Sequence, residues 1–152
     1  MVERLAEHTV EVPGAAFLPA SGELVLNEAV AEYRLNHERP LRAKSFAFAL
    51  RIVKLSQYLI GKQEYIMSKQ VLRAGTAIGA LVREAEYAES KADFIHKLAI
   101  ALKEANETEY WLELLHQSGF IDAKGFASIH TDNQELLKLL IAIIKSLKAG
   151  NR

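Results

Sequence analysis

No cysteine occurs among the 152 residues, which excludes a disulfide framework, a thiolate metal site and a cysteine nucleophile. Long apolar runs are missing as well. Lys138 and Lys145 interrupt the richest stretch, LLKLLIAIIKSL, so no segment has the length to span a membrane. The opening residues, MVERLAEHTVEVPG, lack the basic head and apolar middle of a secretory signal, and a cytoplasmic setting is the expectation. Proline is scarce, and all three (Pro13, Pro19, Pro40) fall within residues 1–43. Net charge is zero, yet only in the sum: residues 1–40 hold three basic groups against seven acids, a net −4, and the remainder is +4.

Catalytic signatures are absent too. A Walker-type phosphate loop needs lysine and then serine or threonine directly after its last glycine. In RAGTAIGALVREAE, Arg73 to Glu86, Ala80 and Leu81 follow Gly79 instead, and the region before is helical in pattern. No GxSxG elbow places a serine nucleophile. A di-iron bundle needs two Glu-x-x-His helices and two further glutamates, and Asp93-Phe-Ile-His96, with the i, i+3 form of that motif, does not supply that set. His116 and His130 flank the third loop, and no carboxylate near them along the chain completes a convincing zinc site. No metal, no cofactor and no enzymatic activity are therefore expected.

What is present is helical patterning. Residues 1–43 read as a separate arm, with a strand-like HTVEV, turn signals in VPGAAFLPASG, and a short helix in ELVLNEAVAEYRL that Pro40 stops. Residues 44–152 read as the bundle domain. In SFAFALRIVKLSQYLI, Phe48, Ile52, Leu55 and Leu59 form a core stripe flanked by Ala49, Val53 and Ile60, with Ser45 as N-cap and Gly61 at the far end. A second helix is expected from Tyr65 to Glu89 with Met67, Val71, Ala74, Ile78, Leu81, Ala85 and Ala88 along one side. SKAD, Ser90 to Asp93, has the form of a capping box opening a third helix, whose stripe is Phe94, Leu98, Ala101, Leu102, Ala105, Leu112 and Leu115. After Ser118-Gly119, Asp122 caps a fourth carrying Ile129, Leu136, Leu140, Ile143 and Leu147 at heptad-like spacing. Gly125 and Thr131 weaken the signal in its first turns. The pattern predicts an all-α protein, an antiparallel up-and-down four-helix bundle with an irregular N-terminal arm.

Four passages, KSFAFALRIVKL, SKQVLRAGTAIGALVREAE, SKADFIHKLAIALKEANETEYWLELL and LLKLLIAIIKSLK, together resemble the bacterial four-helix bundle family of large-subunit ribosomal RNA intervening-sequence proteins. The resemblance covers roughly Lys44 to Lys148 and is most specific in the third helix. It implies an all-helical protomer that assembles into a ring, typically a homopentamer, with no enzymatic activity. Through related accessory proteins of diversity-generating retroelements, it also implies binding to RNA or DNA and to a reverse transcriptase. The acidic first 43 residues are longer than the lead-in usual for that family.

Three groups of residues stand out as candidate sites. Two glycines within about one turn cost a helix about 1 kcal/mol each relative to alanine, so they call for a compensating contact. Gly75, Gly79, Val82 and Glu86 lie on a stripe about 100° from the core line, a face that lets another helix come close, either within the bundle or from another subunit. Glu109 falls within the apolar face of the third helix, where an unpaired carboxylate is costly, and Arg73 or Arg83 is expected to pair with Glu109 or Glu86. Lys44, Arg51, Lys54, Tyr58 and Lys62 share the side of the first helix opposite its core, with no acid among them. With Lys138, Lys145 and Lys148 of the fourth helix they form the candidate phosphate-binding face, balanced against an ordinary solvated lysine surface.

Overall fold

The computed structural model describes residues 39–150, which form four α-helices: α1 (Arg39–Gly61), α2 (Ile66–Ala85), α3 (Lys91–Gln117) and α4 (Ala123–Ala149). The strand-like and helical readings of the arm before Arg39 lie outside the described residues. Contacts that join consecutive helices all run in opposite register. Ser56 Oγ donates to the Ser68 carbonyl across α1 and α2, Lys97 pairs with Glu84 across α2 and α3, and Asn133 Nδ2 donates to the Ala105 carbonyl across α3 and α4. The chain is thus the expected all-α, antiparallel up-and-down four-helix bundle. No helix of the described residues is long and apolar enough to cross a membrane.

Local chemistry sets most of the helix ends. Ser90, in extended conformation, accepts from Asp93 N at 3.1 Å, and the Asp93 carboxylate accepts from Glu89 N at 3.2 Å, so SKAD caps α3 as its pattern predicts. Asp122 accepts from Gly125 N at 2.7 Å to open α4, and a Cβ at Gly125 would sit 2.9 Å from that carboxylate oxygen. The glycine makes room for the cap, and α4 is helical from Ala123 onward. Gly119 takes φ +84° after α3, the left-handed conformation that a helix C-terminus favours in glycine.

The start of α1 departs from expectation. Pro40 lies in its first turn, where a missing N–H is no loss and the fixed φ suits a helix, so it helps to open α1. Residues 39–43 are consequently helical, not part of an irregular arm. Ser45 is no N-cap: it is buried inside α1, its Oγ donating to the Arg42 carbonyl. The second helix also ends at Ala85 rather than Glu89, because Asp93 draws Glu89 into the cap of α3. Before it, the Glu64 carboxylate accepts from Ile66 N and Ser68 N, supplying the cap that Tyr65 does not.

The core draws on all four helices: Phe48, Ile52 and Leu59; Val71, Ile78 and Val82; Phe94, Leu98, Leu112 and Leu115; Leu136, Leu140 and Ile143. Val53 and Ile60, expected as flanks of the α1 stripe, are exposed instead. Gly75 faces α1 directly. A methyl group added there would lie 2.7 Å from Ile52 Cγ1 and 2.9 Å from Ile52 Cγ2, both on the rigid stem of a fully buried side chain. At Gly79 it would lie 3.4 Å from the Ser45 carbonyl oxygen.

Gly75→Ala is therefore expected to destabilise the fold by about 1–3 kcal/mol in urea unfolding, outweighing its helix-propensity gain of about 1 kcal/mol. The loss should shrink in an Ile52→Ala background, while Gly79→Ala should be neutral or stabilise by up to about 1 kcal/mol.

Candidate nucleic-acid interface

Both sides of α1 that flank its core line carry distinctive residues. At about 100° per residue, Lys44, Arg51, Lys54, Tyr58 and Lys62 fall on one flank, and Phe46, Leu50, Val53 and Ile60 on the other. The basic stripe, expected opposite the core, is instead a flank whose Lys44 and Arg51 meet α4, which brings acids to it. Lys44 Nζ lies 2.5 Å from Glu135, and Arg51 Nη1 lies 2.5 Å from Asp132 while its guanidinium also donates to Ser128 Oγ at 2.8 Å. The sequence shows no acid on this stripe because the acids belong to another helix. Lys54 has no ion-pair partner among the described residues, and Lys62 Nζ sits 5.6 Å from the centre of the Tyr58 ring.

Beyond Arg51 the flank turns concave. A cleft of about 770 Å³ runs between α1 and the α3–α4 turn, with Lys54 and Tyr58 on one wall and Phe120, Ile121 and Asp122 on the other. Phe120 was not anticipated, since a loop phenylalanine carries no periodic signal. Lys138, Lys145 and Lys148 are exposed without ion-pair partners among the described residues, yet they do not join the α1 flank. Lys138 instead lines a groove with Leu102, Lys103 and Asn106 of α3.

Within one protomer the described residues pair in other combinations than the expected one of Arg73 or Arg83 with Glu109 or Glu86. Arg73 pairs with Glu104 and Glu107, and Glu107 also accepts from Trp111 Nε1 at 3.1 Å. Arg83 lies 5.1 Å from the centre of the Phe46 ring, a cation–π contact on the apolar flank of α1. Glu86 pairs with Arg42. Glu109 accepts from Gln134 Nε2 and lies 2.9 Å from His130 Nε2. The physical reason is rotation: the buried polar residue of α3 is Thr108, which bonds back to the Glu104 carbonyl, and Glu109 sits one residue round, at the α4 edge. Arg73 and Arg83 stand on α2, on the far side of α3. The glycine face has a plainer outcome, since Gly75 and Val82 are buried and Gly75 and Gly79 approach α1 within one protomer.

His130 is better placed than its sequence neighbours suggest. Its ring stacks on Phe126, which stacks on His116, and Glu113 joins Glu109 and His130 so that one ligand atom of each lies within 4.8 Å of the others. Antiparallel pairing of α3 and α4 brings these carboxylates to His130, so distance along the chain was the wrong measure.

A sequence model of the 23S rRNA-intervening sequence proteins matches residues 40–142, from the first turn of α1 well into α4. The chain belongs to the 23S rRNA-intervening sequence protein family. The fold of this family member is similar to a crystal structure from Bacteroides thetaiotaomicron VPI-5482, a protein of unknown function from the S23 ribosomal protein family. The two are 56% identical, with a TM-score of 0.70 over 72% of this chain and 98% of that one. No curated protein matches the chain. The family match therefore starts with the bundle and leaves the acidic N-terminal residues outside it.

Asp132→Asn and Glu135→Gln would release Arg51 and Lys44 from exposed pairs of a kind worth about 0–1 kcal/mol each. The double variant is expected to unfold in urea within about 1–2 kcal/mol of the wild type.

Proposed function

We propose that the protein is a non-enzymatic helical scaffold whose copies assemble into a ring through the outward apolar flank of α1 and present lysines to the phosphates of RNA or DNA. The observation that carries this reading is the second apolar stripe of α1. Phe46, Leu50 and Ile60 are about half exposed, at 50%, 51% and 49%, and with Val53 they repeat at helical spacing. One helix with two apolar seams has one for its own core and one to spare, and a contiguous exposed stripe of this kind marks an interaction surface. Five copies are the leading ring size, from the resemblance of the sequence to pentameric relatives.

Nucleic-acid contact is supported by Lys54, Lys62, Lys138, Lys145 and Lys148, whose ammonium groups remain exposed. A ring multiplies each of them around its axis, and repeated cations gain affinity by releasing counterions from phosphates. Ribosomal RNA is the first candidate, given the family, and the cytoplasm is the corresponding setting. The neutralisation of Lys44 and Arg51 by α4 favours a second reading, a scaffold for protein partners such as a reverse transcriptase with no nucleic acid bound.

Light scattering of the full chain tests assembly. The wild type is expected to be a homo-oligomer at micromolar concentration, and Leu50→Glu with Val53→Glu should give monomers of unchanged helicity. A monomeric wild type overturns the ring.

Filter binding across a salt series tests phosphate contact. Retention should fall steeply with salt, and each lysine replaced by alanine that truly meets a phosphate should reduce the log–log slope by about 0.7–0.9. Asp132→Asn with Glu135→Gln should strengthen retention at low salt. Oligomers that retain neither RNA nor DNA would leave the protein-scaffold reading in its place.

A further inference from the structure

We propose that Glu109, Glu113 and His130 form a binding site for a divalent transition metal, zinc above all, at the seam between α3 and α4. Three donors from two helices converge there, with one ligand atom of each within 4.8 Å of the others. Glu109 and Glu113 are one helical turn apart on α3, a spacing at which two carboxylates repel. Glu113 has no ion-pair partner among the described residues. Lys103 and Lys138, which border the same groove as Glu109, pair with neither carboxylate. The arrangement thus holds two negative charges against one histidine, and a divalent cation bound to two carboxylates and a neutral imidazole is charge-balanced.

The imidazole is the decisive donor, because it distinguishes this set from an ordinary run of surface acids. His130 is held in place by its stack on Phe126, with ring centres 4.8 Å apart, and Phe126 is backed by His116 at 4.5 Å. Its Nε2 points at Glu109 Oε1 across 2.9 Å. Ligands of a tetrahedral zinc ion stand about 3.4 Å apart, given bond lengths of about 2.0–2.2 Å. The His130–Glu109 gap must therefore widen by about half an ångström, and the exposed Glu113 side chain must swing inward. Gln134, which donates to Glu109, orients that carboxylate from outside the ligand set. Mixed nitrogen and oxygen donors suit zinc, cobalt or nickel over magnesium or calcium. One coordination position remains for water.

Bound metal would lock the end of α3 to the start of α4, making the seam a metal-strengthened joint. This site uses none of the lysines or apolar residues of the scaffold reading and is tested without nucleic acid.

The test titrates the metal-free full chain with Zn²⁺ in a calorimeter and with Co²⁺ by visible absorption, whose band reports coordination by nitrogen. One equivalent per chain is expected, with a rise in melting temperature of about 5–10 °C at hundredfold excess over Kd. Glu113→Gln, at an exposed position, leaves the fold intact and should weaken binding at least tenfold. His130→Ala should do the same and abolish the cobalt band, whereas His96→Ala, at an exposed position on the first turns of α3, should change neither. The proposal is overturned by absence of binding, by affinity unchanged in Glu113→Gln, or by a cobalt band that His96→Ala removes. Should His130→Ala fail to fold, the Glu113→Gln titration decides alone.

Discussion

Contact between Ile52 of α1 and the bare backbone of Gly75 on α2 is the constraint from which the rest of the arrangement follows. It draws the first two helices close enough that Ser45, Ser56 and Ser68 are buried between them, where larger polar residues would not fit. Close approach also fixes the rotation of α1. With Phe48, Ile52 and Leu59 committed to the core, the two remaining flanks have no freedom: the basic one must face α4, and Phe46, Leu50, Val53 and Ile60 must face outward. The lysines, the acids opposing them and the unpartnered apolar stripe are therefore consequences of a single helix crossing.

Polar pairing follows the same geometry. The long charged side chains that pair between helices take the partner that the neighbouring helix presents at their height: Arg73 with Glu104 and Glu107, Lys97 with Glu84, Arg51 with Asp132. These pairs are largely exposed and individually weak. They mark the seams more than they hold them, and the energy resides in the apolar residues beneath. The α1–α4 seam is the least extensive of the four between neighbouring helices, and a cleft opens there.

Features written within one helix were legible in the sequence. Helical period, the Ser90 and Asp122 caps and the α3 and α4 core stripes depend on residues within a few positions of each other, and all appear where the pattern puts them. Features written between helices were not. Pairing Arg73 or Arg83 with Glu109 required the rotation of α3, which a helical wheel leaves open by a full residue step, enough to exchange Thr108 for Glu109 in the core. Val53 and Ile60 passed for core flanks because periodicity gives the direction of an apolar stripe and says little about its width. Pro40 was ambiguous in itself, since the same ring that ends one helix begins another. The proximity of Glu113 and Glu109 to His130 depends on the antiparallel register of α3 and α4, and no single helix records it.

Asn133 gives that register its permanence. It is fully buried in α4, its Nδ2 donates to the Ala105 carbonyl at 3.0 Å, and its Oδ1 has no partner among the described residues. An apolar residue in its place would pack almost equally well one turn up or down, but the amide finds its acceptor at one height only. Sliding α4 along α3 strands a buried donor beside its already orphaned oxygen. In the packed bundle, alignments of α3 and α4 that are out of step are thus penalised, and a single side chain serves as an index mark that sorts one alignment from its near copies.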